Sequence, residues 1–427
     1  QKHEALYEIE IVRRPHPFPF VNSFGALPMT ILQTHDLDKH SSSSTDLDHA
    51  TRHIEIALPT DMAYLAGDHL GVIGSNEPDQ VRRVAEHFLF DQQTIIQLHN
   101  NNGRKPIAPT DEPISVHDLL ANYVELQDIA RREHIRKMVE YTSDATEKQH
   151  LARLVDNSAE GEAAYKREIL DRHASVIDLL EDHPSCALPF SVYLEFLTPL
   201  RPRYYSISSS PLIKRDECSI TVSIVRGPAR SGHGVFEGVC SSYLERQRKG
   251  DLIYAFIQNT SGPFHPPQDL STPIIMIAAG TGLSPFRGFL QSRSVLIEHG
   301  AKLGQALLLF GCRHPEVDFL YKEELENFEK AGVVKLHTAF SRLDPQKKVF
   351  VQDKILEQKD EIWQLLQQKA VVYICGNADT MVPDVHKSFV SLIQEKIGKS
   401  EQEASAWLNN LIKEKRYLVD IWGVEAI

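Results

Sequence analysis

Three segments of the chain gather residue types able to hold a planar, polyanionic ligand. The first is Arg201-Pro202-Arg203-Tyr204-Tyr205-Ser206-Ile207-Ser208-Ser209-Ser210-Pro211. A tyrosine face stacks on a flat heterocycle, and a guanidinium pairs with a diphosphate in two-pronged fashion. The second, Gly238-Val239-Cys240-Ser241-Ser242-Tyr243-Leu244, puts a glycine and hydroxyls at the start of an expected helix. Amide groups at a helix amino end favour anions. The third runs Ile274-Ile275-Met276-Ile277-Ala278-Ala279-Gly280-Thr281-Gly282-Leu283-Ser284-Pro285-Phe286. It reads as an apolar strand, a glycine turn open to phosphate, and a proline at the first position of a helix.

Positive charge then falls after the later strands. Ser341, Arg342, Lys347 and Lys348 follow one strand, and Arg313 follows another. Nucleotides bind at the carboxyl ends of parallel strands. There a carboxylate selects the ribose 2′-hydroxyl of NAD, and arginine or lysine selects the 2′-phosphate of NADP. The basic cluster predicts NADP.

The elements that must position these groups fall into three regions. Leu6–Arg14 and His53–Leu58 alternate apolar and polar residues, and Gly67–Gly74 is a short apolar run. Asp36–Thr51, with four consecutive serines, reads as a loop. From Glu77 to Glu181 the apolar spacing turns helical, as in Val116–Leu126 and Ile169–Leu180. Strands resume at Ser191–Leu197, Arg203–Ser209, Cys218–Arg226 and Leu252–Ile257, predicting a small antiparallel barrel interrupted by a helical insert. Beyond Pro263–Pro267 come Ile274–Ala279, Ala306–Phe310, Val333–Thr338 and Val371–Ile374. These nearly all-apolar strands alternate with the helical stretches Pro285–Glu298, Tyr321–Lys330, Val351–Gln368 and Pro383–Ile397. That pattern predicts a doubly wound parallel sheet covered on both faces. The expected division is a barrel over 1–75 and 186–265, a helical connecting insert over 76–185, and a Rossmann-like domain over 266–427.

Composition narrows the function classes. A chain of 427 residues with 46 Lys and Arg against 58 Asp and Glu carries a formal charge of −12, which argues against coating nucleic acid or anionic lipid. No apolar run approaches membrane-spanning length. Five scattered cysteines without a C-x-x-C pair predict neither a disulfide framework nor a zinc site, but a reducing, cytoplasmic setting. Twenty histidines form no metal-binding motif. A G-x-S-x-G elbow is missing from Gly280–Gly288, which excludes the common hydrolase arrangement.

The sequence resembles the FAD/NADPH half of the diflavin reductases, the NADPH–cytochrome P-450 reductase family within the ferredoxin–NADP reductase superfamily. It is especially similar to the reductase portion of self-sufficient P-450 fatty-acid hydroxylases. The likeness runs from Arg52 to Trp422 and rests on Arg203–Ser206, Gly280–Phe286, Gly311-Cys312-Arg313, Ala339–Arg342, Tyr373–Gly376 and Tyr417–Trp422. The resemblance implies an antiparallel Greek-key FAD-binding barrel and an NADP-binding domain. Arg203 would hold the FAD diphosphate within the Arg203–Tyr204–Tyr205–Ser206 box, Tyr205 would stack on the isoalloxazine, and Ser206 would lie near N5. Gly238, Val239, Cys240 and Ser241 would line the diphosphate, with Thr221, Val222 and Ser223 on a flavin-lining strand. Thr281 would meet the NADP diphosphate. Ser341, Arg342 and Lys348 would grip the 2′-phosphate beside Phe350, Val351 and Gln352, with Arg52, Arg313 and Asp384 as further contacts. Cys375 and Asp420 would flank the nicotinamide, and Trp422 would cover the flavin.

The implied reaction is hydride transfer from NADPH to FAD, then single electrons to an FMN-binding flavodoxin-like domain and a haem monooxygenase domain. No sequence for either module is found in this chain, which therefore reads as a terminal reductase portion. The reductase half of a sulfite reductase or nitric oxide synthase is the alternative within the class; outside it, a redox-inactive NADP sensor would leave Arg203–Ser206 without a role. Three departures from the family pattern stand out. Phe350 replaces a frequent tyrosine, Asn377 replaces a common aspartate, and Gly423–Ile427 extends the chain past Trp422.

Overall fold

The computed structural model describes residues 24–38, 50–100, 106–259 and 262–422, without the Trp422 side chain. The expected strand at Leu6–Arg14 and most of the serine-rich loop lie outside the described residues. Two compact units emerge, one built around Ser75–Arg201 and the other from Leu27–Gly74 with Pro202–Ile427.

The first unit is mainly helical. Its helices start where short polar side chains can cap them: Ser115 before Val116–Asn122, Asp144 before Ala145–Leu154, and Ser175 before Val176–Asp182. The interior is aliphatic and aromatic, with Leu119, Leu120, Ile135, Met138, Leu151 and Tyr193 fully enclosed. Two expectations are corrected here. The stretch Ile169–Leu180 is not one helix: Ile169 and Leu170 close a π-turn, Lys166–Leu170, that ends the preceding helix Ala159–Tyr165, His173 adopts a left-handed φ of 49°, and Ser175 caps a new start. Ser191–Leu197 is not a strand but the helix Phe190–Phe196. Its alternation of Val192, Leu194 and Phe196 mimics a strand, yet Phe190, Tyr193, Leu194 and Leu197 also recur at helical spacing. Burial of Tyr193 and Leu194 decides for the helix.

In the second unit, six antiparallel strands lie in the order Arg203–Ser206, His69–Ile73, Leu252–Gln258, Leu27–Asp36, Thr51–Ala57, Glu217–Ser223. An Ile207–Ile220 bridge joins the two outer strands, and the sheet closes into a barrel. The long Leu27–Asp36 strand serves two neighbours. Leu27–Thr30 pairs with Leu252–Ala255 and Ile31–Asp36 with Arg52–Ile56, with a bulge between Ile31 and Gln33 that turns the corner. Alternate residues such as Ile54, Ile56, Ile220, Val222 and Ile253 fill the interior.

The same unit contains five parallel strands in the order Lys335–Phe340, Ala306–Cys312, Ile274–Ala279, Val371–Asn377, Tyr417–Trp422. Ala306–Cys312 is buried throughout, as a strand covered on both faces must be. One strand begins two residues later than expected, at Lys335, because Val333 and Val334 pack beneath the sheet as connecting residues. The expected helix Val351–Gln368 breaks at Gln358 into Val351–Glu357 and Lys359–Gln367. The edge strand Tyr417–Trp422 escaped the apolar-run criterion because Asp420 interrupts it. No helix among the described residues is long and apolar enough to cross a membrane.

Candidate functional site

Strand order in the parallel sheet reverses between Ile274–Ala279 and Val371–Asn377, and a ligand crevice forms where neighbouring strands leave in opposite directions. Cys375 stands at that point, in register with Ala278 on one side and Asp420 on the other. In the barrel, His69 and Ser206 are likewise cross-strand partners. The two pairs meet at one oxygen. Asp420 Oδ2 accepts from Ser206 Oγ at 2.9 Å, lies 2.9 Å from His69 Nε2, and takes the Cys375 thiol at 3.9 Å. A carboxylate only accepts, so His69 presents Nε2–H to it. Burial, and then the Asp420 charge, push the Cys375 thiol well above its ordinary range, so it stays protonated and donates.

On the barrel side, Arg203 and Tyr205 are half-buried, while Tyr204 is exposed and meets the Phe256 ring edge-on at 6.0 Å. Burial and the adjacent Cys240 hold the Tyr205 phenol well above its ordinary range. Gly238 precedes the helix Val239–Arg246, whose amino end has no side-chain cap. A Cβ at Gly238 would stand 2.7 Å from Ser241 Oγ and 3.1 Å from Val225 Cβ, so a larger residue here would have to turn the Ser241 hydroxyl aside. A cationic strand residue, a stacking phenol and an uncapped helix start fit a flavin dinucleotide. The Glu217–Ser223 strand divides its residues: Val222 enters the barrel core, Ser223 is half-buried, and the buried Thr221 bonds Tyr321 Oη at 2.7 Å. Arg52 is engaged within the barrel by Asp36 at 3.0 Å and the Glu245 carbonyl.

On the sheet side, the Gly280–Leu283 turn leads into the helix Ser284–Glu298. Gly280 has a φ of +55° with open space around an added Cβ, so it is the backbone turn and not crowding that calls for glycine. Thr281 beside it is half-buried. Ser341 N–H donates to the Cys312 carbonyl and Arg342 N–H to that of Arg313, which brings the ends of two strands together. Asp318 orders Arg313 through its amide and, at 2.8 Å, its Nε. Arg342, Lys348 and Phe350 are exposed. Val351 is buried, and Gln352 reaches Asp384 at 3.5 Å. An open turn followed by exposed cations fits a phosphorylated dinucleotide. Asn377 accepts from the Asp379 and Thr380 amides and the Thr380 hydroxyl, so this departure from the family pattern shapes the turn beyond Cys375. Trp422 pairs with Asn377 through its backbone; its side chain lies outside the described residues.

Sequence reasoning missed His69, as well as Tyr321, His53 and Arg287, whose contacts are described below. None belongs to a local motif. The pairing of His69 with Ser206 would have revealed it, but pairing partners 137 positions apart carry no local signal.

Known proteins resemble the chain over nearly its whole length. The FAD binding domain model matches residues 26–243, and the oxidoreductase NAD-binding domain model matches residues 276–387. The chain is 41% identical over 423 residues to the bifunctional cytochrome P-450/NADPH–P-450 reductase of Bacillus cereus, covering 99% of this chain and 39% of that protein. It is also 41% identical over 425 residues to bifunctional cytochrome P-450/NADPH–P-450 reductase 1 of Bacillus subtilis, with the same coverage. The NADPH–cytochrome P-450 reductase of Drosophila melanogaster is 34% identical over 380 residues, 87% of this chain and 55% of that protein. The chain thus spans about two fifths of the length of its bifunctional relatives. With the first model covering half of its residues and the second following in the same chain, the protein belongs to the FAD binding domain family, joined to an oxidoreductase NAD-binding domain.

Proposed function

We propose that the chain is an NADPH-dependent flavoprotein reductase, the FAD- and NADPH-binding portion of a system that delivers electrons to a haem monooxygenase. The observation that carries this reading is the convergence of Ser206 and His69 from the barrel with Cys375 and Asp420 from the parallel sheet. When bound, the two cofactors supply the hydride and its acceptor; the protein supplies alignment and electrostatics.

Arg203 and the helix start at Gly238–Ser241 would hold the FAD diphosphate, with Tyr204 and Tyr205 as the aromatic wall. Thr281 would take the NADP diphosphate. Ser341, Arg342 and Lys348 would take the 2′-phosphate, with Phe350, Gln352 and Asp384 at the rim. The Asp420 carboxylate, only 12% exposed, stabilises positive charge developing on a nicotinamide, and its hydrogen bonds from Ser206 and His69 keep it aimed there. Cys375, a neutral buried thiol, packs and positions. Trp422 would screen the flavin face that NADPH must reach.

The proposed modules are a barrel from Leu27–Gly74 together with 202–265, a connecting insert over Ser75–Arg201, longer than the 76–185 expected because 186–201 packs with the helical unit, and an NADP domain over 266–427. The bifunctional relatives join a cytochrome P-450 to an NADPH–P-450 reductase by name, and the partners proposed for this chain are an FMN module and a P-450 haem module of the same polypeptide, acting on fatty acids. All five cysteines are free and buried, which suits a reducing cytoplasm. The test is to load the chain with FAD and mix it anaerobically with NADPH or NADH. Flavin bleaching should be fast with NADPH and slow with NADH. Ferricyanide should be reduced directly, and cytochrome c only after an FMN module is added. Flavin that stays oxidised under NADPH would refute the reading.

A further inference from the structure

Beyond the site itself, a polar seam fastens the parallel-sheet part of the second unit to its barrel, and its centre is Tyr321. This residue precedes the helix Lys322–Lys330 in a left-handed conformation, φ 54°, which is unfavourable for a bulky side chain. Its hydroxyl reaches two barrel strands at once, lying 2.8 Å from His53 Nδ1 and 2.7 Å from Thr221 Oγ1.

Hydrogen-bond directions follow from the partners. Glu55 Oε1 lies 3.3 Å from His53 Nε2 and, as a carboxylate, accepts. Nε2 therefore carries the proton of a neutral ring, and Nδ1 is bare. Tyr321 must donate to Nδ1, which leaves its oxygen to accept from Thr221. Burial first, and Arg287 second, hold His53 in that neutral form, lowering it to about 3.

Arg287 completes the seam. It lies one turn into the helix that leaves the Gly280–Leu283 turn, and its guanidinium carbon sits 4.6 Å from the centre of the Tyr321 ring. The same guanidinium pairs with Glu324 at 2.9 Å and donates to the Ser208 carbonyl at 2.9 Å and to Ser219 Oγ at 3.3 Å. One turn further, Gln291 accepts from Ser210 N–H at 2.9 Å, and Ser292 bonds the Ser210 hydroxyl at 2.6 Å. A Cβ on Gly288 would approach the Ser209 carbonyl to 2.7 Å. The seam thus ties the helix behind the phosphate turn to the chain two to four residues past Ser206. Apolar packing of Ala66, Leu37 and Phe264 against the sheet-side cluster also joins the two parts, and the polar seam adds directional contacts to it.

We propose that Tyr321 and Arg287 are positioning residues for the reductase reaction, forming a clamp that fixes the distance between the barrel pair Ser206–His69 and the sheet pair Cys375–Asp420. This inference rests on the reductase reading. Hydride transfer depends steeply on donor–acceptor distance, and a misplacement of about 1 Å costs on the order of 10²-fold in rate. The clamp touches neither reacting ring; its contribution is geometric.

The test uses the full chain with Tyr321→Phe, which deletes only the bridging oxygen, and Thr221→Val, which deletes one of its two bonds. Arg287→Lys, which keeps charge but not the fork, provides a third variant should Tyr321→Phe fail to fold. Without any cofactor, hydrogen exchange should quicken at Ile220–Ser223 and Lys322–Leu325 in Tyr321→Phe. With FAD bound, stopped-flow flavin reduction should slow by roughly ten- to a hundredfold. The isotope effect with 4-deuterated NADPH should change, while FAD content and NADP⁺ affinity stay as in wild type. Thr221→Val and Arg287→Lys should fall between in exchange and in reduction rate, with Thr221→Val compared at matched FAD content because Thr221 also stands on the proposed flavin-lining strand. Unaltered exchange would show that there is no clamp. Loosened exchange with wild-type reduction rate and isotope effect would leave the seam a matter of stability and overturn the positioning role. A wild-type chain whose flavin NADPH does not reduce would instead refute the reductase reading, and the catalytic half of this proposal with it.

Discussion

The barrel and the parallel sheet divide labour along their strands in different ways. In the sheet, strands such as Ala306–Cys312 are apolar and buried from end to end, and the site residues stand at their carboxyl ends or in the turns beyond. In the barrel, neighbouring residues of one strand do different work. Val222 fills the core while Thr221 reaches the Tyr321 clamp, and Ser206 meets Asp420 while Ile207 closes the barrel. A strand buried on both faces has no face left for chemistry, whereas a barrel strand has one facing inward and one outward. Substitutions inside a sheet strand should therefore cost stability alone, while those in a barrel strand should mix stability with function.

The largest effect expected at a strand end is that of Asp420→Asn. It keeps the shape of the side chain and removes the charge on which Ser206, His69 and Cys375 converge. Loss of one preorganised electrostatic group lowers turnover by roughly 10²–10³-fold. Flavin reduction should slow by that order with FAD content intact. A normal rate would show that the convergence is structural.

Next comes the basic cluster past the neighbouring strands. Removing a charge-assisted contact costs about 1.5–3 kcal/mol, so Arg342→Ala with Lys348→Ala should raise the Michaelis constant for NADPH by at least about tenfold. NADH kinetics should not move. Equal damage to both cofactors would mean that these exposed side chains form an ordinary solvated loop.

The barrel side of the comparison is sharpened by pH. His53 faces Glu55, the Tyr321 hydroxyl, the His35 ring at 4.8 Å and, through Tyr321, Arg287. Its folded value, near 3, lies below the unfolded value of 6.5. Between those limits the unfolded chain binds a proton that the folded chain refuses, so stability falls as pH drops from 6.5 toward 3. The slope from this residue is about 1.4 kcal/mol per pH unit. Urea midpoints at pH 7.5 and 5.5 measure it. His53→Asn, which keeps an acceptor for Tyr321 but cannot titrate, should flatten the slope; an unchanged slope would assign it to other groups.

The smallest effects separate two glycines. Gly288→Ala drives a methyl against the Ser209 carbonyl at the seam and should cost about 1–3 kcal/mol. Gly280→Ala meets open space and pays only for its left-handed φ, about 1 kcal/mol. Thermal melts should rank them in that order. The reverse ranking would mean that the Gly280–Leu283 turn, and not the seam, is the tighter place.

The sequence by itself determined the parts that local chemistry encodes. The apolar run Ile274–Ala279 with its glycine turn folds as a strand leading into a helix, because burial on both faces and a left-handed glycine need only neighbouring residues. Arg203–Ser206, Gly238–Ser241 and Ser341–Arg342 could be singled out as candidates for the same reason: each is a contiguous set of groups suited to an anion or a flat ring. Tertiary structure decided what depends on partners far along the chain. Phe190–Phe196 satisfied both strand and helix spacing until burial of Tyr193 chose between them. Thr221, expected only on a flavin-lining strand, became a clamp residue when Tyr321, a hundred positions on, arrived beside it. His69 entered the site through cross-strand pairing with Ser206 and the approach of Asp420 from 351 residues away. Backbone turns and apolar periodicity are short-range properties, whereas the meeting of polar side chains from two sheets is settled by how those sheets close and dock.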